Sequence, residues 1–236
     1  IRQVTGPTGA GFHRVAWDLR YPPLHPFVPE EERENQGNPA GVLVAPGTYR
    51  VSMARRVDGE LTDLGQSQTF EVVSIREPTL EGTSQDERIA FSQQADELAR
   101  AVAGTIATID ETAAELTAIK DVLGRSTADP ALYARANALL KSLDEQRDLL
   151  AGDETLGNFA ADRPKPVTSR IQAANMNPHW NAHGPTATHR QTLQVARNVY
   201  NQSSAELERI VDNDYAALKR ELDAAGVPWS PGRGLP

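Results

Sequence analysis

The feature that most constrains this fold is a change in the spacing of apolar residues near residue 80. Before it, apolar and polar residues alternate, as on a β-strand; after it, apolar residues recur every three or four positions, as on an α-helix. A chain that carries both periods in succession is typical of a multi-domain α+β protein. We therefore predict a small antiparallel β-sandwich over residues 1–78, an antiparallel helical bundle over residues 84–226 and a C-terminal tail over residues 227–236.

The first part of the chain predicts three good strands and one weak strand. The good strands are GFHRVAWDL, in which Val15, Trp17 and Leu19 share one face, GTYRVSMARRV and QTFEVVSI, and the weak one is IRQVT at the start. Asp58-Gly59 lies between the second and third good strands and predicts a hairpin turn, because these residues adopt positive φ at little cost. A sandwich normally needs about seven strands, so we expect this one to be incomplete or unusually small.

The second part opens with a long amphipathic helix. Ser84 and Glu87 have the spacing of a capping box, and Gly124 is a natural C-terminal stop. The 4-3 spacing between them predicts one buried seam. Its members are Phe91, Ala95, Leu98, Val102, Thr105, Ile109, Leu116, Ile119 and Leu123.

Two further helices follow with their own start signals. Asp129-Pro130 begins one of them with proline at its first position, and Thr186 or Thr188 caps the other. The first predicted seam is Leu132, Ala136, Leu139, Leu143, Gln146 and Leu150. The second predicted seam is Leu193, Tyr200, Ser204, Leu207, Val211, Tyr215, Leu218 and Leu222.

Composition narrows the classes of function. The net charge of -8 argues against a nucleic-acid surface, which needs clustered lysine and arginine. The absence of cysteine excludes disulfides and thiolate chemistry but fits the cytoplasm and the bacterial periplasm equally. No apolar run approaches the ~20 residues of a membrane span. We find no signal peptide, and a start at Ile1 rather than methionine leads us to expect a fragment or a processed chain.

The order of these segments resembles a known family. GFHRVAWDLRYPP, APGTYRVSM and FEVVSIREP are similar to the Ig-like region near the C-terminus of secreted bacterial proteins with sialidase-type (BNR) or sortilin-like repeats. The Trp-Asp and Pro-Gly-Thr-Tyr pair also resembles the Ig-like domain of the flagellar hook-capping protein. GPTATHRQ and AAGVPWSPGRGLP resemble the opening and the end of the last helix in the helical tail of the same BNR-repeat proteins.

The resemblance implies an accessory role rather than catalysis. Such proteins carry a β-propeller upstream, and glycosyl hydrolase chemistry would be expected there; this sequence contains no propeller repeats. We therefore expect a non-catalytic accessory module of a secreted or periplasmic protein, with the propeller or another subunit as its partner and no catalytic, cofactor or metal site. Two alternatives stay open: a carbohydrate-binding module that uses Trp180 or Trp229, and a hydrolase fragment with a histidine metal site.

Trp17 is the aromatic residue with the clearest predicted role. We expect it to pack in the sandwich core against Tyr49 and Phe70, and a platform that stacks on sugar is the alternative. Asp18 and Arg20 follow it, and we interpret them as an ion pair at the end of a strand rather than as ligands of a bound molecule.

The residues most suggestive of a metal site are His179, His183 and His189 in NPHWNAHGPTATH. The first two have the i, i+4 spacing of zinc ligands, but Trp180 stands where the zincin pattern has its glutamate. Glycine and proline in the same stretch favour a loop, and we expect no metal there.

Acidic residues are abundant but suggest no catalytic pair. Carboxylates on amphipathic helices usually lie on solvated faces, and Asp214, beside the predicted seam, is the least typical of them. The acidic run at 30–34 predicts an exposed loop, with calcium binding as a minor alternative.

Overall fold

A computed structural model of the chain describes residues 1–22, 41–75, 82–153, 164–176 and 184–234. The architecture is mixed α+β, as the change of period predicts. The elements are strands β1 (Gly47–Val57) and β2 (Glu60–Val72), and helices α1 (Gln85–Leu123), α2 (Pro130–Ala151), α3 (Val167–Met176), α4 (Ala187–Glu208) and α5 (Ala216–Ala224). A π-helical stretch, Arg209–Tyr215, joins α4 directly to α5.

The chain forms two compact units. The first contains the strands and the start of α1 as far as Gln94, and the second contains the rest of α1 and the other helices. The domain limits 1–78, 84–226 and 227–236 stay a prediction.

A long hairpin dominates the first unit. β1 and β2 pair antiparallel from Gly47 opposite Val72 to Val57 opposite Glu60. The predicted turn is confirmed, because Asp58 and Gly59 connect the strands with φ of 50° and 87°. Two consecutive positive values are typical of a type I′ turn, whose twist matches that of the strands it joins.

The segment GFHRVAWDL does not form the predicted strand. Its residues have no regular strand pairing, and only Arg20, just beyond it, forms an isolated bridge with Leu43. Leu19 has a φ of 57°, which bends the backbone out of the extended conformation. The weak strand IRQVT is likewise absent, and Arg2 instead forms an ion pair with Asp18 at 2.8 Å. Apolar alternation was present, but neither segment has a partner strand along its length within the described residues.

In the second unit, α1 and α2 run antiparallel. The Lys120 ammonium donates to Asn137 at 2.7 Å, and the Arg147 guanidinium donates to Asp110 at 2.9 Å. The caps between them follow the prediction. α1 ends directly before Gly124, and the Asp129 carboxylate accepts a hydrogen bond from the backbone of Ala131 at the start of α2.

The last helix runs parallel to α1. The hydroxyl groups of Thr105 and Tyr200 lie 3.2 Å apart, and further along both helices Tyr215 donates to Glu115 at 2.7 Å. Of the two predicted caps, Thr186 is the one used. Its hydroxyl accepts a hydrogen bond from the backbone of His189, and the His189 ring accepts one from the backbone of Thr186.

The predicted seams of α1 and α2 are confirmed as the packed core. Apart from Thr105 and Gln146, which are half-buried, every predicted member of these seams is buried. On the last helix, Leu193, Leu207, Tyr215, Leu218 and Leu222 are also buried as predicted.

Three positions in the predicted seam of the last helix are not buried. Ser203 and Ile210 are buried, whereas Tyr200, Ser204 and Val211 are only half-buried. The π-helical stretch explains the error at Val211. From Ser203 to Ile210, buried residues follow each other by three or four positions, but Tyr215 follows Ile210 by five. A π turn absorbs one extra residue in a helix, so the buried face continues in phase on either side of it.

The C-terminal tail packs on the second unit rather than projecting from it. Val227 and Ser230 are buried, and the Arg233 guanidinium donates to Asp223 and to the carbonyls of Val227 and Pro228. These contacts hold the end of the described chain against the last helix.

Candidate functional site

Three aromatic rings meet on the hairpin. Trp17 lies edge-on to Tyr49 and Phe70, with ring centroids 5.6 and 6.1 Å away, and Tyr49 stacks with Phe70 at 6.0 Å. Tyr49 and Phe70 are opposite each other across β1 and β2, so they lie on the same face. The predicted contacts of Trp17 are therefore confirmed.

The aromatic cluster nevertheless lies at the surface rather than in a core. Trp17 and Tyr49 are half-buried, and Phe70 is 37% exposed. The polar atoms of the cluster are satisfied locally, because Trp17 donates to the carbonyl of Arg20 and Tyr49 donates to that of Ala45. A cluster of this kind leaves its ring faces and edges available for contact with another molecule.

The apolar side chains around the cluster are exposed as well. We call these the hairpin surface: Val51, Met53, Val57 and Phe70, which lie at alternate positions of the strands on the face of Tyr49. Val51 is 55% exposed and Met53 is 58% exposed. Burying one such side chain is worth about 1.5–3 kcal/mol. Exposed apolar side chains that recur along one face of a hairpin are typical of a contact surface.

The two strands also differ in charge. β1 carries Arg50, Arg55 and Arg56 and no acidic residue. β2 carries Glu60, Asp63 and Glu71 and no basic residue. The hairpin surface is therefore bordered by positive charge along one strand and negative charge along the other.

Asp18 and Arg20, the two charged residues next to Trp17, are both engaged. Asp18 accepts hydrogen bonds from Arg2 at 2.8 and 2.9 Å, and Arg20 donates to the carbonyl of Gly41 at 2.9 Å. The predicted ion pair between Asp18 and Arg20 is therefore wrong, because Asp18 pairs with Arg2 and the Arg20 side chain bonds to the backbone. Both side chains contribute to holding the segment before the hairpin.

In the second unit, Tyr215 and Glu115 form a polar pair between α1 and the π-helical stretch. Desolvation raises the pKa of the Tyr215 phenol, and its hydrogen bond to Glu115 raises it further. The hydroxyl therefore stays protonated and acts as a donor. The Lys219 ammonium lies 4.3 Å from the centroid of the same ring, within the range of a cation–π contact. This arrangement anchors the π-helical stretch to α1.

Asp96 is a buried acidic residue of the second unit. Desolvation raises its pKa to about 6, against the opposing effects of a hydrogen bond from Asn175 and the nearby charge of Arg100. The Asn175 amide donates to it at 3.0 Å, which links α1 to α3. Asp96 was not among the predicted functional residues, although a charged residue directly after Ala95 of the predicted seam was the available signal.

Of the three histidines most suggestive of a metal site, only His189 lies within the described residues. His179, His183 and Trp180 lie outside the described residues, as does the acidic run at 30–34. His189 serves as the capping partner of Thr186. Across the described part of the chain, no group of three or more His, Asp or Glu side chains is arranged to hold a metal ion.

Asp214 and Trp229 have local roles. The Asp214 carboxylate forms an ion pair with Arg209 on the π-helical stretch. Trp229 is half-exposed, and its indole N–H donates to the carbonyl of Gly234 at 2.6 Å. Both interactions lie within the last helix and the tail.

Comparison with known proteins identifies no relative: neither a family model, nor a curated protein, nor a solved structure matches this chain. Among the helices that the structure describes, none has the length and apolar character needed to cross a bilayer.

Proposed function

We propose that this chain is a non-catalytic accessory module that makes protein–protein contacts through the hairpin surface. In this proposal an Ig-like sandwich, completed by a partner, precedes an antiparallel helical bundle. The parent would be a secreted or periplasmic protein of the BNR-repeat type, with its propeller or another subunit as the partner. The similarity of Trp17-Asp18 and of residues 46–49 to that family supports the assignment.

One observation carries the proposal, namely the exposure of apolar side chains on both strands of the hairpin. Val51 and Met53 lie next to the Trp17 cluster and are more than half exposed. An isolated two-stranded sheet is marginal in water, and additional strands or a packed layer normally cover its apolar side chains. A partner that buries them would gain about 25 cal/mol for each Å² of apolar surface removed from water.

Site-specific photo-crosslinking tests the proposal. A benzoylphenylalanine replaces Val51 in the protein as its source organism makes it, and the adducts are mapped by mass spectrometry. We expect adducts at position 51 to map to one recurrent polypeptide segment. Tyr133, a similarly exposed residue on α2, is the matched control position, where we expect no recurrent adduct. Equal, scattered adducts at both positions would contradict a contact role for the hairpin surface.

The non-catalytic part of the proposal has its own test. The purified chain is assayed against a panel of nitrophenyl glycosides and analysed for bound zinc. We expect no turnover and no stoichiometric metal. Tight stoichiometric zinc that is lost in a His183→Ala variant would instead support the metal-dependent hydrolase alternative.

A further inference from the structure

The outer edges of the two hairpin strands are not equivalent. β1 is continuous over its 11 residues. β2 carries a bulge, in which residues 64–66 face the single residue Met53 of β1, and Gly65 there has a φ of 67° and donates its backbone N–H to the Asp63 carboxylate. Bulges of this kind hinder the addition of another strand. The edge of β1 is therefore the one that an additional strand can follow.

Hairpin geometry identifies the backbone groups that this edge presents. In a hairpin with a two-residue turn, the flanking pair Val57 and Glu60 exchange backbone hydrogen bonds, and every second pair does so beyond it. Arg55 therefore bonds to Thr62, whereas Ala54 and Arg56 direct their N–H and C=O groups away from β2. Within the described residues, no third strand pairs with β1.

The charge along β1 restricts what can pair with it. Arg50, Arg55 and Arg56 would lie beside the residues of an added strand, and like charges on adjacent strands destabilise pairing. A second β1 is therefore disfavoured, because its arginines would lie against these. The apolar side chains of Val51 and Met53 alternate with the charged and polar ones and favour apolar residues at alternate positions of the added strand.

We propose that the edge of β1 binds an extended partner segment in which acidic and apolar residues alternate. The segment adds as a strand, bonds to the outward backbone groups of Ala54 and Arg56, and places its carboxylates beside Arg50 and Arg56, which lie on the face opposite Val51 and Met53. Main-chain bonds of this type supply affinity, and the alternate side chains supply specificity. This inference rests on the proposed function and specifies the chemistry of the partner.

Amide hydrogen exchange measured by NMR on the full chain tests the inference. The probe is a blocked synthetic peptide of alternating glutamate and valine, and a lysine–valine peptide is its charge-reversed control. At a saturating concentration we expect the glutamate peptide to slow exchange at the amides of Ala54 and Arg56 by about tenfold or more. The Arg55 amide, which faces β2, should change little. The lysine peptide should give no protection.

A matched pair of proline variants locates the binding edge. Ala54→Pro removes an outward N–H from β1, and Leu61→Pro removes the equivalent outward N–H from β2, because proline has no backbone donor. Both leave the bonds between the strands in place, which protection of the Arg55 amide would verify. We expect Ala54→Pro to abolish the effect of the glutamate peptide and Leu61→Pro to retain it.

Three results would overturn the inference: no protection by the glutamate peptide, equal protection by the lysine peptide, or protection that depends on protein concentration without any peptide. The last result would assign the edge to a second copy of this chain. If crosslinks at position 51 recur while the β1 edge gains no protection, the contact role stands and only strand addition fails. If both measurements are negative, the proposed function fails as well.

Discussion

The hydroxyl of Tyr215 donates a 2.7 Å hydrogen bond to Oε2 of Glu115, and this pair joins the π-helical stretch to α1. The backbone of Gly232 closes over it, because a Cβ at this position would overlap the Glu115 carboxylate and the Tyr215 hydroxyl. Gly232 also has a φ of 84°, which favours glycine. The pair is thus enclosed by two helices and the tail, and the π turn places Tyr215 where it can reach Glu115.

Removing the Tyr215 hydroxyl should destabilise the helical unit. Tyr215→Phe leaves the Glu115 carboxylate without this donor, and we expect a loss of about 1–3 kcal/mol in the free energy of unfolding. Tyr200→Phe is the control, because Tyr200 is less buried and its hydroxyl meets, among the described residues, the neutral hydroxyl of Thr105. We expect it to cost about 0.5–1 kcal/mol in the same urea titration. Equal losses in the two variants would contradict a special role for the Tyr215 pair.

Deleting one residue from the π-helical stretch should be tolerated. Without Asn213, an exposed residue, Tyr215 would follow Ile210 by four positions, and the buried seam would run through a regular α-helix. We expect the deletion to cost less than about 2 kcal/mol in urea unfolding.

A control deletion of Gln202, also exposed, removes a residue from the regular part of α4 and rotates all following side chains by about 100° relative to α1. We expect that deletion to cost more than about 4 kcal/mol or to prevent folding. If both deletions are equally damaging, the π turn does not compensate for an inserted residue.

Asp96→Asn should stabilise the protein at neutral pH and not in acid. Because the folded-state pKa is raised from 3.8 to about 6, the folded protein binds more protons than the unfolded chain between these values. Its stability therefore falls as the pH rises through this window. We expect the variant to gain about 1–3 kcal/mol over the parent at pH 7.5 and nothing at pH 3.5.

Asp110→Asn is the control for this pH dependence, because Asp110 is exposed and paired with Arg147. It should show no gain at pH 7.5. Thermal unfolding of both variants across the pH range checks the prediction, and a gain by Asp96→Asn that is independent of pH would contradict burial of a charged carboxylate as its cause.

Local signals in the sequence predicted local structure well. The turn at Asp58-Gly59, the cap at Asp129 and the stop at Gly124 depend on residues that lie next to one another, and all three are present. The 4-3 spacing of α1 was equally informative, because a regular helix brings residues at this spacing to one face along its whole length.

The remaining errors arise where distant parts of the chain decide the outcome. Val211 was assigned to the seam because nothing in the local pattern marks a π turn. Only the acidic Asp214 hinted at it, because a regular helix would turn this residue inward four positions after Ile210. Ser204 was assigned to the seam because helical spacing allows a buried residue either three or four positions before Leu207, and Ser203 and Ser204 are the same residue type. The strand expected around Trp17 failed because alternation shows which side chains share a face and not whether a partner strand is present.

The candidate site was likewise predicted in part. The contacts of Trp17 with Tyr49 and Phe70 followed from alternation, but the sequence suggested a closed core. Whether the hairpin surface is exposed depends on the other parts of the molecule that pack against it. The pattern of apolar residues in a strand is the same whether that strand is covered or exposed. The difference in charge between β1 and β2 is visible in the sequence. It indicates the chemistry of a partner strand only together with the structure, which shows that the outer edge of β1 is the one that can accept such a strand.

Oxidative footprinting of Met53 tests the central claim most directly. Met53 is 58% exposed on the hairpin surface, and its oxidation by hydroxyl radicals can be quantified by mass spectrometry in the isolated chain and in the native assembly purified from the source organism. Tyr133 on α2, which is 43% exposed, serves as the internal reference. The account predicts that Met53 is oxidised at least about fivefold more slowly in the assembly, because contact surfaces exclude water, while Tyr133 reacts at the same rate in both samples. Equal oxidation of Met53 in the isolated chain and in the assembly would contradict the claim that the hairpin surface is a site of protein–protein contact.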